Sequence, residues 1–308
     1  MGTVAYIKEE KVVRKIFPSI EIKILDNNSI ITIHDAQKKG IKKKLVKYII
    51  KHEIEILVFS KELDGEFKEE IIESLLLQGK GNIQLATGKK LMEYMEMDLL
   101  EYILKQQGTN KKQEEIYILF RKDEKINLDF LQRFIENFRM TNIVTNDIKH
   151  MKLFQEQLLE KENVLISVSN NKRKALKRAK YILNVNLNKQ ELNKYQINRN
   201  AIVINIRENV KQDAPNFDGI NINYFAISCP DEYMEKFEQI GSNFDLAQLY
   251  ESVLLQDNVT KRKQEDVYER IKQDEVKITH LIGNNGEIFT EELQKIQKRN
   301  LDKMRKLV

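Results

Sequence analysis

β-rich runs alternate with helical stretches from residue 115 onward, and this alternation limits the folds open to the chain more than any other feature. Six predicted strands lie at 116–120, 142–145, 164–168, 181–185, 201–206 and 220–227. Between them are helical patterns at 128–138, 148–160 and 172–178, and a turn region at 188–200. Parallel strands need long, right-handed crossover connections of this kind. The pattern therefore predicts an α/β fold with a doubly wound, mostly parallel sheet.

The first hundred residues carry a shorter version of the same pattern. Two β-rich runs at 20–25 and 30–33 are separated by Asp26, Asn27, Asn28 and Ser29, which tolerate tight turns, so we expect a hairpin. Helical patterns then alternate with short apolar runs, with helices at 38–51, 66–78 and 88–105 and strands at 54–59 and 82–86. This order predicts a small N-terminal α/β domain.

A polar stretch between Gln106 and Glu115 indicates where one domain ends. It reads QQGTNKKQEE, with a helix-ending Gly108 and no apolar anchor, as exposed linkers do. We predict domains at 1–110 and 111–308. Helical patterns at 244–255 and 260–272 follow the last strand, and we expect them to pack back on the first domain. A small molecule or a protein partner would then bind in the cleft between the domains.

Composition excludes several classes of protein. The 308 residues are 41% hydrophobic and 32% charged, which suits packed cores beneath an ionised surface. The net charge of +5 is too small to indicate nucleic-acid binding by itself. No apolar run approaches the roughly 18 residues of a membrane span. A single cysteine, Cys229, and a start without an apolar leader predict a cytoplasmic protein.

The strands of the second part carry a family resemblance. The segments NIVTNDIKHMKLFQ, AKYILNVNL and RNAIVINIRE resemble the nucleotide-binding domain of the shikimate dehydrogenase and glutamyl-tRNA reductase kind, over about residues 115–228. The corner after the second strand is Thr145-Asn146-Asp147. The resemblance implies a Rossmann-like, NAD(P)-binding domain and an oxidoreductase activity. It also implies ribose contacts from Thr145, Asn146 and Asp147, whereas the residues alone are equally consistent with an Asx helix cap.

The turn after the first strand departs from that family. A dinucleotide pyrophosphate approaches a glycine-rich turn, but this turn reads RKDEKIN and holds Asp123 and Glu124. Arg121 and Lys122 are the residues that could still hold an anion there. The first domain also lacks a cysteine that could serve as a reductase nucleophile. We therefore predict no firmly bound cofactor, with NAD(P) as the single candidate.

A basic helix follows the third strand. The run NNKRKALKRAK places Lys172, Arg173, Lys174, Lys177 and Arg178 around an inward stripe of Ala175, Leu176 and Ala179. Such a helix could grip nucleic-acid phosphates, another anion or an acidic partner. A solvated helix face in a lysine-rich chain is the simpler interpretation, and nucleic acid is not our expected partner.

Four further features are weaker indications of a functional site. Thr87-Gly88-Lys89-Lys90 opens a helix but lacks the first glycine and the Ser/Thr of a P-loop, so we expect an ordinary helix start. The four histidines have no metal-site spacing, and no metal is expected. Cys229 precedes Asp231 and Glu232, which would raise the pKa of its thiol. Gly283 to Gly286 has the spacing of a nucleic-acid-clamping GXXG loop, although a tight turn accounts for it.

Together these features predict a degenerate Rossmann-like protein that acts as a binding or scaffold component without catalysis. An NAD(P)-dependent oxidoreductase with an atypical phosphate turn is the alternative. Nucleic-acid binding through the basic helix is the third candidate.

Overall fold

A computed structural model describes residues 2–10, 19–121, 128–162, 164–207, 209–210, 217–259 and 264–305. The chain forms two compact units, each built from two segments. The first unit consists of Met1–Leu91 and Ile227–Lys277, and the second of Met92–Ala226 and Ile278–Val308. The boundary predicted between Gln106 and Glu115 falls inside the second unit. Lys122, Asp123 and Glu124, named above, lie outside the described residues.

Strands and helices follow the alternation read from the sequence. The strands are β1 (Val4–Glu9), β2 (Ser19–Leu25), β3 (Asn28–His34), β4 (Ile56–Phe59), β5 (Gln84–Leu85), β6 (Glu115–Leu119), β7 (Met140–Val144), β8 (Ser167–Ser169), β9 (Tyr181–Asn184), β10 (Ile202–Asn205), β11 (Ile220–Ser228), β12 (Lys277–Gly283) and β13 (Gly286–Ile288). The helices are α1 (Ile41–Lys51), α2 (Gly65–Leu77), α3 (Lys89–Tyr94), α4 (Glu96–Gln106), α5 (Leu128–Asn137), α6 (Ile148–Glu162), α7 (Lys172–Arg178), α8 (Lys189–Leu192), α9 (Asp231–Ile240), α10 (Leu246–Gln256), α11 (Gln264–Gln273) and α12 (Thr290–Arg305). The predicted two-part α/β fold is confirmed.

The sheet of the first unit has the order β2-β3-β1-β4-β5. β1 pairs in parallel with β3 and β4, and β5 continues the sheet in parallel beyond β4. β2 is the exception, because it forms the predicted antiparallel hairpin with β3. Asp26 takes a left-handed φ of 54° in that turn, a conformation that Asp adopts more readily than most residues.

Apolar faces at helical spacing close the core of this unit. Ile41, Leu45 and Ile49 of α1 share one face of that helix and are fully buried against the sheet. Phe67 and Ile71 of α2 pack in the same core. The lysines of α1 lie between these positions, so the helix is amphipathic as its sequence predicts.

The helices α9, α10 and α11 follow β11 and belong to the first unit, which confirms the expected return of this part of the chain, whereas α12 belongs to the second unit. α10 packs against β4. Its Ser252 Oγ lies 3.1 Å from the hydroxyl of Tyr6, and Gln256 Nε2 donates to Asn28 Oδ1 at 3.0 Å. These side chains are buried, so the bonds also satisfy polar groups that water does not reach.

The sheet of the second unit has the order β13-β12-β11-β10-β9-β6-β7-β8. The six strands from β6 to β11 all pair in parallel. Their spatial order is 3-2-1-4-5-6 when they are counted along the chain, which is the doubly wound arrangement. β12 and β13 form an antiparallel hairpin in which Gly283 pairs with Gly286, so the GXXG spacing is a hairpin turn.

Leu176 and Ala179 of α7 pack against Leu119, Val144 and Ile182 of the central strands, as their spacing predicts. Over the described stretches, no helix combines the length and apolarity needed to cross a membrane.

Candidate functional site

The connections of the second sheet diverge at β6. β7 and β8 lie on one side of this strand, and β9, β10 and β11 lie on the other. In doubly wound sheets a crevice opens at this point, outside the carboxyl ends of the strands, and ligands bind there. The residues that follow β6, β7, β8 and β9 therefore form the candidate site.

Four asparagines line the carboxyl edge from β9 to the β12–β13 turn, and we call them the asparagine row: Asn184, Asn205, Asn223 and Asn284. Asn184 Nδ2 donates to Asn205 Oδ1 at 2.9 Å, and Asn205 Nδ2 donates to Asn223 Oδ1 at 2.9 Å. Asn223 Nδ2 then donates to Asn284 Oδ1 at 2.7 Å. Asn205 is fully buried, so each amide depends on its neighbours for partners.

The asparagine row also binds the backbone of the loops beyond the strands. Asn184 Oδ1 accepts from the N–H of Leu187, and Asn184 Nδ2 donates to the Leu187 carbonyl. Asn223 Oδ1 accepts from the N–H of Val210 at 3.0 Å. Protein groups thus occupy the carboxyl edge over β9, β10 and β11. Charged side chains collect instead at the carboxyl edge beside β6, and we use the word crevice for this part of the edge.

Arg121 reaches this crevice directly after β6. Its backbone N–H donates to Asn186 Oδ1 at 2.9 Å, and its guanidinium Nη1 lies 3.8 Å from Glu191 Oε2. Glu191 is fixed by the capping box of α8. Asn188 N donates to Glu191 Oε2 at 2.9 Å, and Glu191 N donates to Asn188 Oδ1 at 2.9 Å.

Lys172 enters the same crevice from the start of α7. The side chain is 7% exposed, and Nζ donates to Asn146 Oδ1 at 2.6 Å. Burial lowers the pKa of Lys172, while the nearby Glu191 carboxylate acts in the opposite direction. Within the described residues, no carboxylate lies within 4.0 Å of this ammonium. Both cations approach Glu191, and we call Arg121 and Lys172 the cation pair.

Thr145 and Asp147 serve the turn into α6. Thr145 is fully buried, and its Oγ1 accepts from the N–H of Asp147 at 3.1 Å. Asp147 Oδ2 lies 3.4 Å from Nδ1 of His150, one turn along the helix. Asn146, which could have capped α6, accepts from Lys172 instead. Of the three corner residues, Asn146 is the one that faces the cation pair.

The basic helix does not act as one patch. Arg173, Lys174 and Lys177 are exposed, whereas Lys172 is buried at the carboxyl edge. Arg178 lines a cavity of about 560 Å³ at the opposite, amino edge of the sheet, together with Arg139, Lys180 and Tyr117. The structure thus separates the two ends of α7 and joins Lys172 to Arg121 and Asn146, which were predicted as parts of a different site.

The sequence did not lead us to predict a role at this edge for Asn186, Glu191 or the asparagine row. A signal for the row was present, since YILN, IVIN and ININ each place an asparagine after a short β-rich run. Because carboxyl ends of parallel strands meet at one edge, these residues could have been expected side by side. Glu191 also stands three residues after Asn188, which is the spacing of a capping box.

In the first unit, backbone N–H groups at the Thr87–Lys90 segment bind a carboxylate of the protein itself. Thr87 N and Leu91 N donate to the Glu251 carboxylate at 3.1 and 3.0 Å. Glu251 is 1% exposed, and burial raises its pKa to about 7, although the amide donors favour the charged form. Burial also lowers the pKa of Lys89 to about 8. A phosphate cradle is therefore excluded here, because Glu251 occupies the backbone donors.

Cys229 is a partly buried thiol. Burial and, secondarily, Asp274 raise the pKa of the Cys229 thiol to about 12, whereas the sequence had pointed to Asp231 and Glu232. Over the described ranges, no three His, Cys, Asp or Glu side chains gather as metal ligands would.

No protein-family model and no curated protein matches the chain. Among solved structures, the chain is similar to an aspartate transcarbamoylase from Trypanosoma cruzi in complex with carbamoyl aspartate and phosphate. The sequence identity is 9%, the alignment covers 81% of each chain, and the TM-score is 0.27. A likeness at that TM-score carries no conclusion about activity.

The resemblance to the shikimate dehydrogenase and glutamyl-tRNA reductase kind is wrong. The solved structure reported above is a transcarbamoylase rather than a nicotinamide-dependent dehydrogenase, and no family model supports the resemblance. It depended on a pattern of strands, and doubly wound sheets with unrelated functions share that pattern. We therefore assign no NAD(P) site to Arg121, Lys122, Thr145, Asn146 or Asp147.

The asparagine row should be essential to the second unit. Replacing Asn205 by Ala removes the acceptor of Asn184 Nδ2 and the donor to Asn223 Oδ1 in a dry environment. We expect a loss of about 2–4 kcal/mol in the free energy of unfolding, measured by urea denaturation. Asn284→Ala at the exposed end should cost less than about 1 kcal/mol. Equal losses in the two variants would contradict this role.

Glu251 should make stability depend on pH. Its pKa is about 7 in the folded chain and 4.5 as the reference value, so the folded state binds more protons between those values. Stability should therefore fall as pH rises through that window, by up to about 3 kcal/mol, and level off above it. The measurement is the difference in unfolding free energy between wild type and Glu251→Gln as pH varies. A difference independent of pH would exclude the assigned titration.

Proposed function

We propose that the chain is a non-catalytic binding protein that takes a small phosphate- or carboxylate-bearing molecule at the cation pair. One observation carries the proposal. Lys172 is 7% exposed, yet its ammonium has an amide oxygen, Asn146 Oδ1, as its hydrogen-bond partner. Arg121 lies beside the same Glu191, so a second cation approaches the carboxylate near Lys172.

A buried ammonium is costly unless an opposite charge compensates it. Glu191 compensates in part, but it is also held by the Asn188 N–H and lies 3.8 Å from Arg121. A ligand anion that contacts Lys172 would compensate the charge of its buried ammonium, with the Arg121 guanidinium as a second donor. Phosphate and carboxylate both suit these two donors, since guanidinium and ammonium groups bind either oxyanion.

Binding is proposed rather than catalysis because the two acidic groups described near the crevice, Glu191 and Asp147, are already engaged. Glu191 completes a capping box, and Asp147 faces His150. A general base needs to reach a substrate proton, which neither carboxylate is arranged to do. The exposed residues Arg173 and Lys174 are left as a solvated face, so a small ligand fits the crevice better than a nucleic acid.

Isothermal titration calorimetry with inorganic phosphate, pyrophosphate and citrate tests the proposal at constant ionic strength. We expect saturable binding of at least one of these anions to the wild-type chain. Lys172→Met and Arg121→Gln should each weaken that binding about tenfold or more, because each removes a charged hydrogen bond. The anion that binds most tightly distinguishes phosphate from carboxylate recognition.

Arg173→Gln is the matched control, since this exposed residue of the same helix loses a charge away from the crevice. It should bind as the wild type does. Equal weakening in Arg173→Gln and Lys172→Met would mean that general surface charge attracts the anion. Absence of binding to all three probes would favour the scaffold role over ligand binding.

A further inference from the structure

β2 is an outer strand of the first sheet and presents apolar side chains to solvent. Among the residues that the structure describes, only β3 neighbours it in the sheet order, so none of them pairs with its other backbone edge. Ile22 is 42% exposed and Ile24 is 60% exposed. Open edges with exposed apolar residues are the strand edges that pair with other chains.

Side chains alternate along this strand between two faces. Ile20 packs against the core of the first unit, and Ile22 and Ile24 share its face because successive residues point in opposite directions. Glu21 and Lys23 lie on the other face. Glu21 Oε1 is 3.1 Å from His34 Nε2, and the Glu21 side chain remains 59% exposed. The strand thus continues an apolar core surface on one face and carries one charge of each sign on the other.

We propose that β2 pairs with β2 of a second copy of this chain, antiparallel, about a two-fold axis at Ile22. In this register Ile22 faces its own symmetry mate, and Ile20 faces Ile24. Glu21 faces Lys23 of the other copy, and the reciprocal pair follows from symmetry. The two first-unit sheets then form one continuous sheet.

The charges select both the partner and the register. A shift of the axis to Glu21 or to Lys23 would place like charges opposite each other, which destabilises a strand pair. If the axis lay midway between Ile22 and either charged neighbour, each isoleucine would lie opposite a charged residue. The apolar face of one strand would then continue into the charged face of the other. The register centred on Ile22 pairs opposite charges and keeps the apolar residues together. This segment is therefore complementary to itself, which favours a second copy over an unrelated peptide.

Sedimentation velocity over a range of protein concentrations measures the association. Wild type should show a reversible monomer–dimer equilibrium. Glu21→Lys places lysines opposite Lys23 twice in the dimer, and Lys23→Glu does the same with glutamates. Each single variant should dissociate with a constant at least about tenfold higher than wild type. Glu73→Lys, an exposed change on α2, is the control for altered net charge and should dimerise normally.

A mixture of the two single variants tests the proposed register most directly. Glu21→Lys and Lys23→Glu chains have opposite charges in the proposed register, so the mixture should form heterodimers while each variant alone is monomeric. Circular dichroism and urea unfolding establish that both variants fold. A wild type that is monomeric at every concentration, single variants that dimerise normally, or a mixture that stays monomeric would each overturn the proposal.

Discussion

The fold of the second unit depends on one constraint: a side-chain amide that is buried needs hydrogen-bond partners within the protein. Asn184, Asn205 and Asn223 lie level on three adjacent parallel strands, and each side chain bonds the next. Their remaining groups hold the loops at Leu187 and Val210. An amide buried without these bonds would cost about 1–3 kcal/mol, so the row fixes strand ends and loops together.

This constraint also decides where a ligand can approach. Because the asparagine row fills the carboxyl edge over β9, β10 and β11, the charged side chains near β6 are the ones left to meet a ligand. The buried charged side chains of the two units differ in their hydrogen-bond partners. Glu251 in the first unit receives backbone N–H donors from Thr87 and Leu91, whereas Lys172 in the second has one amide oxygen. The first arrangement is complete within the chain, and we propose that an added anion completes the second.

Much of the fold could be predicted from the sequence because local periodicity determines it. The alternation after residue 115 gave the parallel strands, and Asp26 and its neighbours gave the β2–β3 hairpin. Strand order and the return of 227–277 to the first unit depend on contacts between distant segments, which periodicity does not encode. For the same reason the polar run at 106–115 was interpreted as a linker although it lies within the second unit.

The site was predicted in pieces. Arg121 and Asn146 were predicted as dinucleotide contacts, and Lys172 as part of a basic helix. They were not predicted as one site, because only the strand order brings the ends of β6, β7 and β8 together. The burial of Lys172 was missed because its position on a lysine-rich helix gives no sign of the crevice beside it. The family resemblance failed because β-rich runs ending in asparagine describe a sheet edge and not a cofactor.

The proposal that an added anion compensates the buried Lys172 ammonium has a direct test. The free energies of unfolding of wild type and Lys172→Met would be measured by urea denaturation at neutral pH, without added anion and with the tightest-binding anion at saturation. Without anion, the variant should be at least as stable as wild type, because a buried charge has been removed. With anion, wild type should gain stability, the variant should not, and wild type should become the more stable. An equal loss of stability in Lys172→Met under both conditions would contradict the account.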